Sequence, residues 1–115
     1  MGIADDQYLP RYVTVCHRRF TLSFDPKDLI PPDEDPIHGV SDWDTGIIAL
    51  SGDMPKDLAA EIIIHEMLHQ YLEVVKMPDK VEEEMSVTVC ARAFCSIIKQ
   101  NPELMEWLKR NLDGQ

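Results

Sequence analysis

From Tyr12 to Phe24 apolar and polar residues alternate. Val13 and Val15 alternate with Thr14 and Cys16, then Phe20, Leu22 and Phe24 with Thr21 and Ser23. That period of two belongs to a strand with one buried face. The polar His17-Arg18-Arg19 between the two runs fits a bulge in one long strand or a tight turn between two. A second, short apolar strand is expected at Ile47–Leu50, followed by a Ser51-Gly52-Asp53 turn. After Pro55 the period changes to that of a helix, and the spacing predicts helices over about 55–75, 79–100 and 103–111. Pro55 suits a first helical turn with Asp53 near enough to cap it, and Asp57 and Glu61 favour the dipole. Pro78 ends the first helix, and Asn101-Pro102 separates the second from the third, which carries Leu104, Trp107, Leu108 and Leu112 on one face. Residues 25–44, with Pro26, Pro31, Pro32 and Pro36 among many acids, read as a long loop that could line or cover a site through His38 or Trp43. Residues 1–10 read as a loose polar terminus. The fold class is α+β, a small N-terminal sheet packed on the helices of the second half, without internal repeats.

Composition narrows the picture without changing it. A chain of 115 residues at 44% hydrophobic content suits a single domain around one core. A formal net charge of −10 argues against nucleic-acid backbones and anionic membranes as partners. No apolar run approaches a signal peptide or the roughly 20 residues of a membrane span, so the expected compartment is the cytoplasm. Cys16, Cys90 and Cys95 are expected to be free thiols of a reducing compartment, with Cys90 and Cys95 buried in an apolar helix.

The chemistry lies in residues 65–69, His-Glu-Met-Leu-His. A helix brings residues four apart onto one face, so His65 and His69 can share one metal ion. Glu66, one step round, can reach a metal-activated water without ligating. This is the division of labour in zinc hydrolysis. Ile62, Ile63, Ile64, Met67, Leu68, Tyr71 and Leu72 surround the motif, which points to a buried helix. Burying two imidazoles and a carboxylate there would cost about 1–3 kcal/mol each unless they were paired, and a Zn2+ ion supplies the pairing.

A catalytic zinc ion keeps one position open and needs a third protein ligand. The extended motif, with Gly three and His six residues past the second His, is excluded because Leu72 and Val75 stand there. No His follows residue 69. Val81-Glu82-Glu83-Glu84-Met85 opens the next helix instead, and a carboxylate on that helix is the gluzincin arrangement. The apolar face through Val87, Cys90, Ala91, Phe94, Ile97 and Ile98 extends back to Glu83 and Glu84, with Glu82 turned away. Glu83 continues the more apolar row and is the preferred ligand, with Glu84 as the alternative. Acids at a helix N-terminus are also favoured by the macrodipole alone.

Taken together, the strand-like Gly46-Ile47-Ile48-Ala49-Leu50, the Asp-x-Pro helix start, the HExxH helix and a Glu-bearing helix closing in Asn101-Pro102-Glu103-Leu104 resemble the small zincin-like metallopeptidase domains of bacteria and their phages. The resemblance covers roughly residues 40–112, and only the pentapeptide is specific. It implies a minimal zincin-like fold in a bacterial or phage-infected host cytoplasm, a short mixed sheet on the active-site helix, zinc between that helix and the next, and a peptide bound along an edge strand. The expected function is zinc-dependent hydrolysis of peptide bonds in a protein or peptide substrate, with Glu66 as general base and Ile47–Leu50 pairing with the substrate if it forms the sheet edge. Tyr71, Tyr12 and Arg92 are the available oxyanion stabilisers. The alternative is a non-catalytic zinc-stabilised regulatory or interaction module on the same scaffold, distinguished by a fourth protein ligand in place of water.

Overall fold

Two hairpins build the sheet. Tyr12–Val15 (β1) and Arg18–Ser23 (β2) pair antiparallel with Val15 opposite Arg18, so Cys16 and His17 alone make the turn. Cys16 takes the left-handed conformation, φ 57°, as tight hairpin turns require. The His17-Arg18-Arg19 stretch is therefore a turn entering a second strand. In the computed structural model, which describes residues 3–29, 39–76 and 83–112, a four-residue helix Pro26–Leu29 (α1) precedes the second hairpin. Gly39–Asp42 (β3) and Ile47–Leu50 (β4) pair antiparallel across a turn closed by Gly46 at φ 69°. Arg18 braces that turn, its guanidinium donating to the carbonyls of Trp43 and Asp44.

β4 joins β2 in parallel, so the strand order is β1-β2-β4-β3 and the sheet is mixed. This corrects two expectations. Ile47–Leu50 lies inside the sheet, hydrogen-bonded on both sides, and cannot offer a free edge. Among the described residues the edge strand beside α2 is β3, within the stretch expected to be loop. β3 was missed because Gly39-Val40-Ser41-Asp42 has a single large apolar residue and hence no alternation to read.

Three longer helices follow: Lys56–Val75 (α2), Glu83–Gln100 (α3) and Pro102–Leu112 (α4). Pro55 is the N-cap residue of α2 in an extended conformation, and no side chain caps that end, so Asp53 does not play the expected role. One sheet face, through Val13, Val15, Phe20, Leu22, Ile48 and Leu50, meets Ala59, Ala60, Ile63 and Met67 of α2, Ile97 of α3, and Leu104, Trp107 and Leu108 of α4. The result is a small α+β fold in which α2, α3 and α4 cover one face of a mixed sheet, while α1 lies against β3 and β4 with Asp28 accepting from the Ser23 hydroxyl. Among the described residues no helix is long and apolar enough to cross a membrane.

The N-terminal segment is docked, not loose. Ile3 is fully buried, and the amides of Ile3 and Ala4 donate to the carbonyls of Met54 and Gly52. The Asp6 carboxylate accepts from Trp107 Nε1 at 2.7 Å and the Tyr8 amide at 2.9 Å, and faces Lys56 Nζ at 3.5 Å. Burial penalises this carboxylate, but these three partners outweigh it and lower its pKa below 3.8. The buried Ile3 and Leu9 and the paired Asp6 anchor a segment whose composition looks solvated.

α3 turns a different face inward from the one its apolar residues suggested. Ala93 and Ile97 are buried, whereas Cys90, Ala91, Phe94 and Ile98 are exposed. Asn101 fixes this rotation. Its amide donates to the Thr14 and Ile97 carbonyls at 2.9 Å, and its oxygen accepts from the Thr14 amide at 2.7 Å. That pins the end of α3 to the edge of β1, where small Ala93 allows close approach. Cys90 and Cys95 are consequently exposed thiols, and only Cys16 is half-buried, its pKa raised by burial.

Candidate metal centre

α2 places His65 and His69 one turn apart, and their Nε2 atoms converge to 2.9 Å with the rings edge-to-face, centroids 4.5 Å apart. Both imidazoles are exposed. The inward row of α2 is Ala59, Ala60, Ile63, Glu66, Met67 and Gln70. The expected burial of all three motif side chains is thus corrected. The desolvation argument applies to Glu66 and not to the histidines, because sheet and α4 cover only one side of α2 and leave Ile62, Ile64 and Leu68 half-covered.

Zinc–nitrogen bonds of ordinary length at a tetrahedral angle set two ring nitrogens about 3.3 Å apart. The observed pair is a few tenths of an ångström tighter, a difference that small ring rotations remove, and both rings open to solvent. The two side chains therefore fit a shared zinc ion. Among the described residues no set of three or more His, Cys, Asp or Glu converges on one point. The expected third ligand cannot be placed. Glu83 and Glu84 open α3 with side chains outside the described set, and Glu82 lies outside the described residues. The helix period nevertheless sets position 83 on the same row as Cys90 and Phe94.

Glu66 is only 8% exposed. Ser41 of the edge strand donates its hydroxyl to Glu66 Oε1 at 2.7 Å, and Gln70 Nε2 donates to the same hydroxyl oxygen at 2.8 Å. The Gln70 Oε1 atom is buried without a partner among the described residues. β3 comes this close because residue 39 is Gly. A Cβ there would run into Ile62 Cγ2 and stand 3.8 Å from Glu66 Cγ. Neither Ser41 nor Gln70 figured in the sequence reading. Gln70 carried a signal, since it follows Glu66 by four on the apolar row and makes a polar couple on a buried face. Ser41 carried none.

Two depressions flank the motif. An apolar groove of about 860 Å³ runs between α2, α3 and α4, with His65 and Glu66 at one border and Ile64, Leu68, Phe94 and Ile98 along its walls. Phe94 and Ile98 are 47% and 54% exposed there. A cleft of about 470 Å³ lies between β3 and α2, bordered by Ser41, Asp42, Trp43, His69 and Glu73, with Glu66 shared between the two. Trp43 does stand at this cleft, its ring packed edge-on against Phe20 at 5.7 Å. His38 lies outside the described residues. Tyr12 is exposed on β1, Tyr71 packs against the core, and Arg92 is exposed on α3; none of the three lines either depression. His17 is an exposed turn residue.

No family model, curated protein or solved structure matches this chain.

Proposed function

We propose that the chain is a zinc-dependent peptidase of minimal gluzincin type. The observation that carries this reading is the convergence of His65 and His69 Nε2 at 2.9 Å, flanking in sequence the buried carboxylate of Glu66, which is held beneath an edge strand. In this reading His65, His69 and a carboxylate at the start of α3, Glu83 by helical row, hold the metal. Zinc, when bound, supplies a Lewis acid that polarises the peptide carbonyl and acidifies the attacking water. Glu66 takes the proton from that water and returns it to the leaving amine. β3 replaces Ile47–Leu50 as the strand that pairs with an extended substrate. The apolar groove receives a large apolar side chain of the peptide, since its wall is formed by Ile64, Leu68, Phe94 and Ile98.

A second reading, a zinc-stabilised interaction module, is favoured by one observation: Tyr12, Tyr71 and Arg92 line neither depression beside the motif, so none of the three stands where an oxyanion would need it. The two readings separate on one pair of measurements. The peptidase binds one zinc with an open coordination position and cleaves a peptide library. Glu66→Gln keeps the zinc and the fold while lowering turnover by about 10²–10⁴-fold, because an amide cannot accept the proton. Undiminished cleavage by Glu66→Gln, or a zinc sphere closed by a fourth side chain, would overturn the peptidase reading.

A further inference from the structure

The Ser41 hydroxyl joins two buried side chains of α2 and has one proton to give. Gln70 Nε2 donates to Ser41 Oγ at 2.8 Å, so the serine's own proton is directed to Glu66 Oε1 at 2.7 Å. The polarity Gln70→Ser41→Glu66 is thereby set. Gln70 is only 8% exposed, and its amide holds the serine while its own Oε1 stays buried without a partner among the described residues. With Oε1 of Glu66 engaged, Oε2 is the oxygen left to accept a proton.

We propose that Ser41, braced by Gln70, is a positioning residue that aims Glu66 Oε2 at the attacking water. The proposal rests on the peptidase reading of the site. In the reaction a proton passes from water to Glu66 Oε2 and then to the leaving amine, while Ser41 keeps its own proton throughout. The position of Ser41 on β3 gives the device a further property. Gly39, on the same strand face two residues earlier, lets β3 sit directly on Ile62 and Glu66. The strand that would pair with an extended substrate is thus the strand that holds the base. Alignment errors of about 1 Å in such a group cost about 10²-fold in rate, which is the scale this hydrogen bond can control.

The test uses the full chain with Ser41→Ala, Ser41→Thr and Ser41→Cys, the last keeping a weaker donor should the alanine variant not fold. Zinc-loaded protein is assayed on quenched-fluorescent casein, zinc affinity is read with a chromogenic chelator, and metal-free crystal structures report the Glu66 carboxylate. Expected results are a kcat lower by about 10–100-fold in Ser41→Ala at unchanged KM and zinc affinity, an intermediate loss in Ser41→Cys, and near wild-type turnover in Ser41→Thr. The crystal structures should show the carboxylate displaced in Ser41→Ala, or in Ser41→Cys if that variant stands in, and unmoved in Ser41→Thr. A carboxylate that holds its place without the hydroxyl overturns the proposal, as does a loss in Ser41→Thr equal to that in Ser41→Ala, or a loss carried by KM. If wild-type protein loaded with zinc leaves casein and a peptide library intact, the hydrolytic reading fails separately, and the crystal structures alone decide whether Ser41 positions Glu66.

Discussion

Gly39→Ala gives a sharp test of how the edge strand is seated, because two effects with opposite signs meet there. Gly39 has no positive φ, so its backbone is one that alanine adopts freely. Replacing glycine at such a position ordinarily stabilises by about 0.4–1 kcal/mol through the unfolded chain. Here the new Cβ would collide with Ile62 Cγ2 and come within 3.5 Å of the Ala49 carbonyl oxygen. Ile62 Cγ2 sits directly on a β-branched carbon in a helix, where χ1 is nearly fixed, so it cannot swing aside. Overpacking of this kind costs about 1–3 kcal/mol. The net expectation is destabilisation by about 0.5–2 kcal/mol, with the melting temperature falling by about 4 °C per kcal/mol. In an Ile62→Ala background, where the obstacle is gone, Gly39→Ala should lose most of its cost. A double-mutant cycle by urea denaturation should then return a coupling of about 1 kcal/mol between the two positions. A Gly39→Ala variant as stable as wild type, or costs that simply add, would mean that β3 does not rest on α2 as described, and the contact between Ser41 and Glu66 would fall with it.

Other consequences are as direct. His65→Ala and His69→Ala should each abolish stoichiometric zinc binding, read by elemental analysis of purified protein, and equal zinc content in wild type and both variants would sink the metal assignment. Among the three consecutive glutamates, Glu83→Ala should weaken zinc strongly in a chelator titration, Glu82→Ala not at all and Glu84→Ala slightly; a strong loss in Glu84→Ala alone transfers the role by one residue. The Asp6 pKa is lowered on folding, so its contribution to stability is fully present above the ordinary value of 3.8 and is lost as pH falls through the folded value. Asp6→Asn should therefore flatten the decline of stability below about pH 4, and an unchanged slope in urea melts at pH 2–5 would show that the contacts with Trp107 and Lys56 do not depend on the charge.

The chain's local chemistry was legible wherever a period persisted. Alternation through Val13, Val15, Phe20 and Leu22 marked the first hairpin's buried face, and the helical stretch bounded by Pro55 and Pro78 marked α2 with its two imidazoles on one side. These features depend on contacts within a few residues, and backbone geometry alone dictates them. The boundary of α4 at Asn101-Pro102 is of the same kind.

Tertiary structure decided what depends on which surfaces meet. α3 carries apolar residues on two adjoining rows, and period counting cannot say which row faces the sheet. The tie of Asn101 to Thr14 selects Ala93 and Ile97 and leaves Phe94 and Ile98 to wall a groove. Strand order is equally invisible, since β4 is apolar enough for a centre or an edge and only pairing with both β2 and β3 sets it inside. Ser41 lies in a strand without a pattern, twenty-five residues from Glu66, and meets it only because Gly39 admits close packing. The sequence by itself determined that two imidazoles share one side of α2 with a carboxylate one step round, because helical spacing is a local property. The fold alone decided that the carboxylate is buried while the imidazoles are exposed, and that a serine from the sheet edge holds it, because burial and long-range hydrogen bonds follow from packing that no local period encodes.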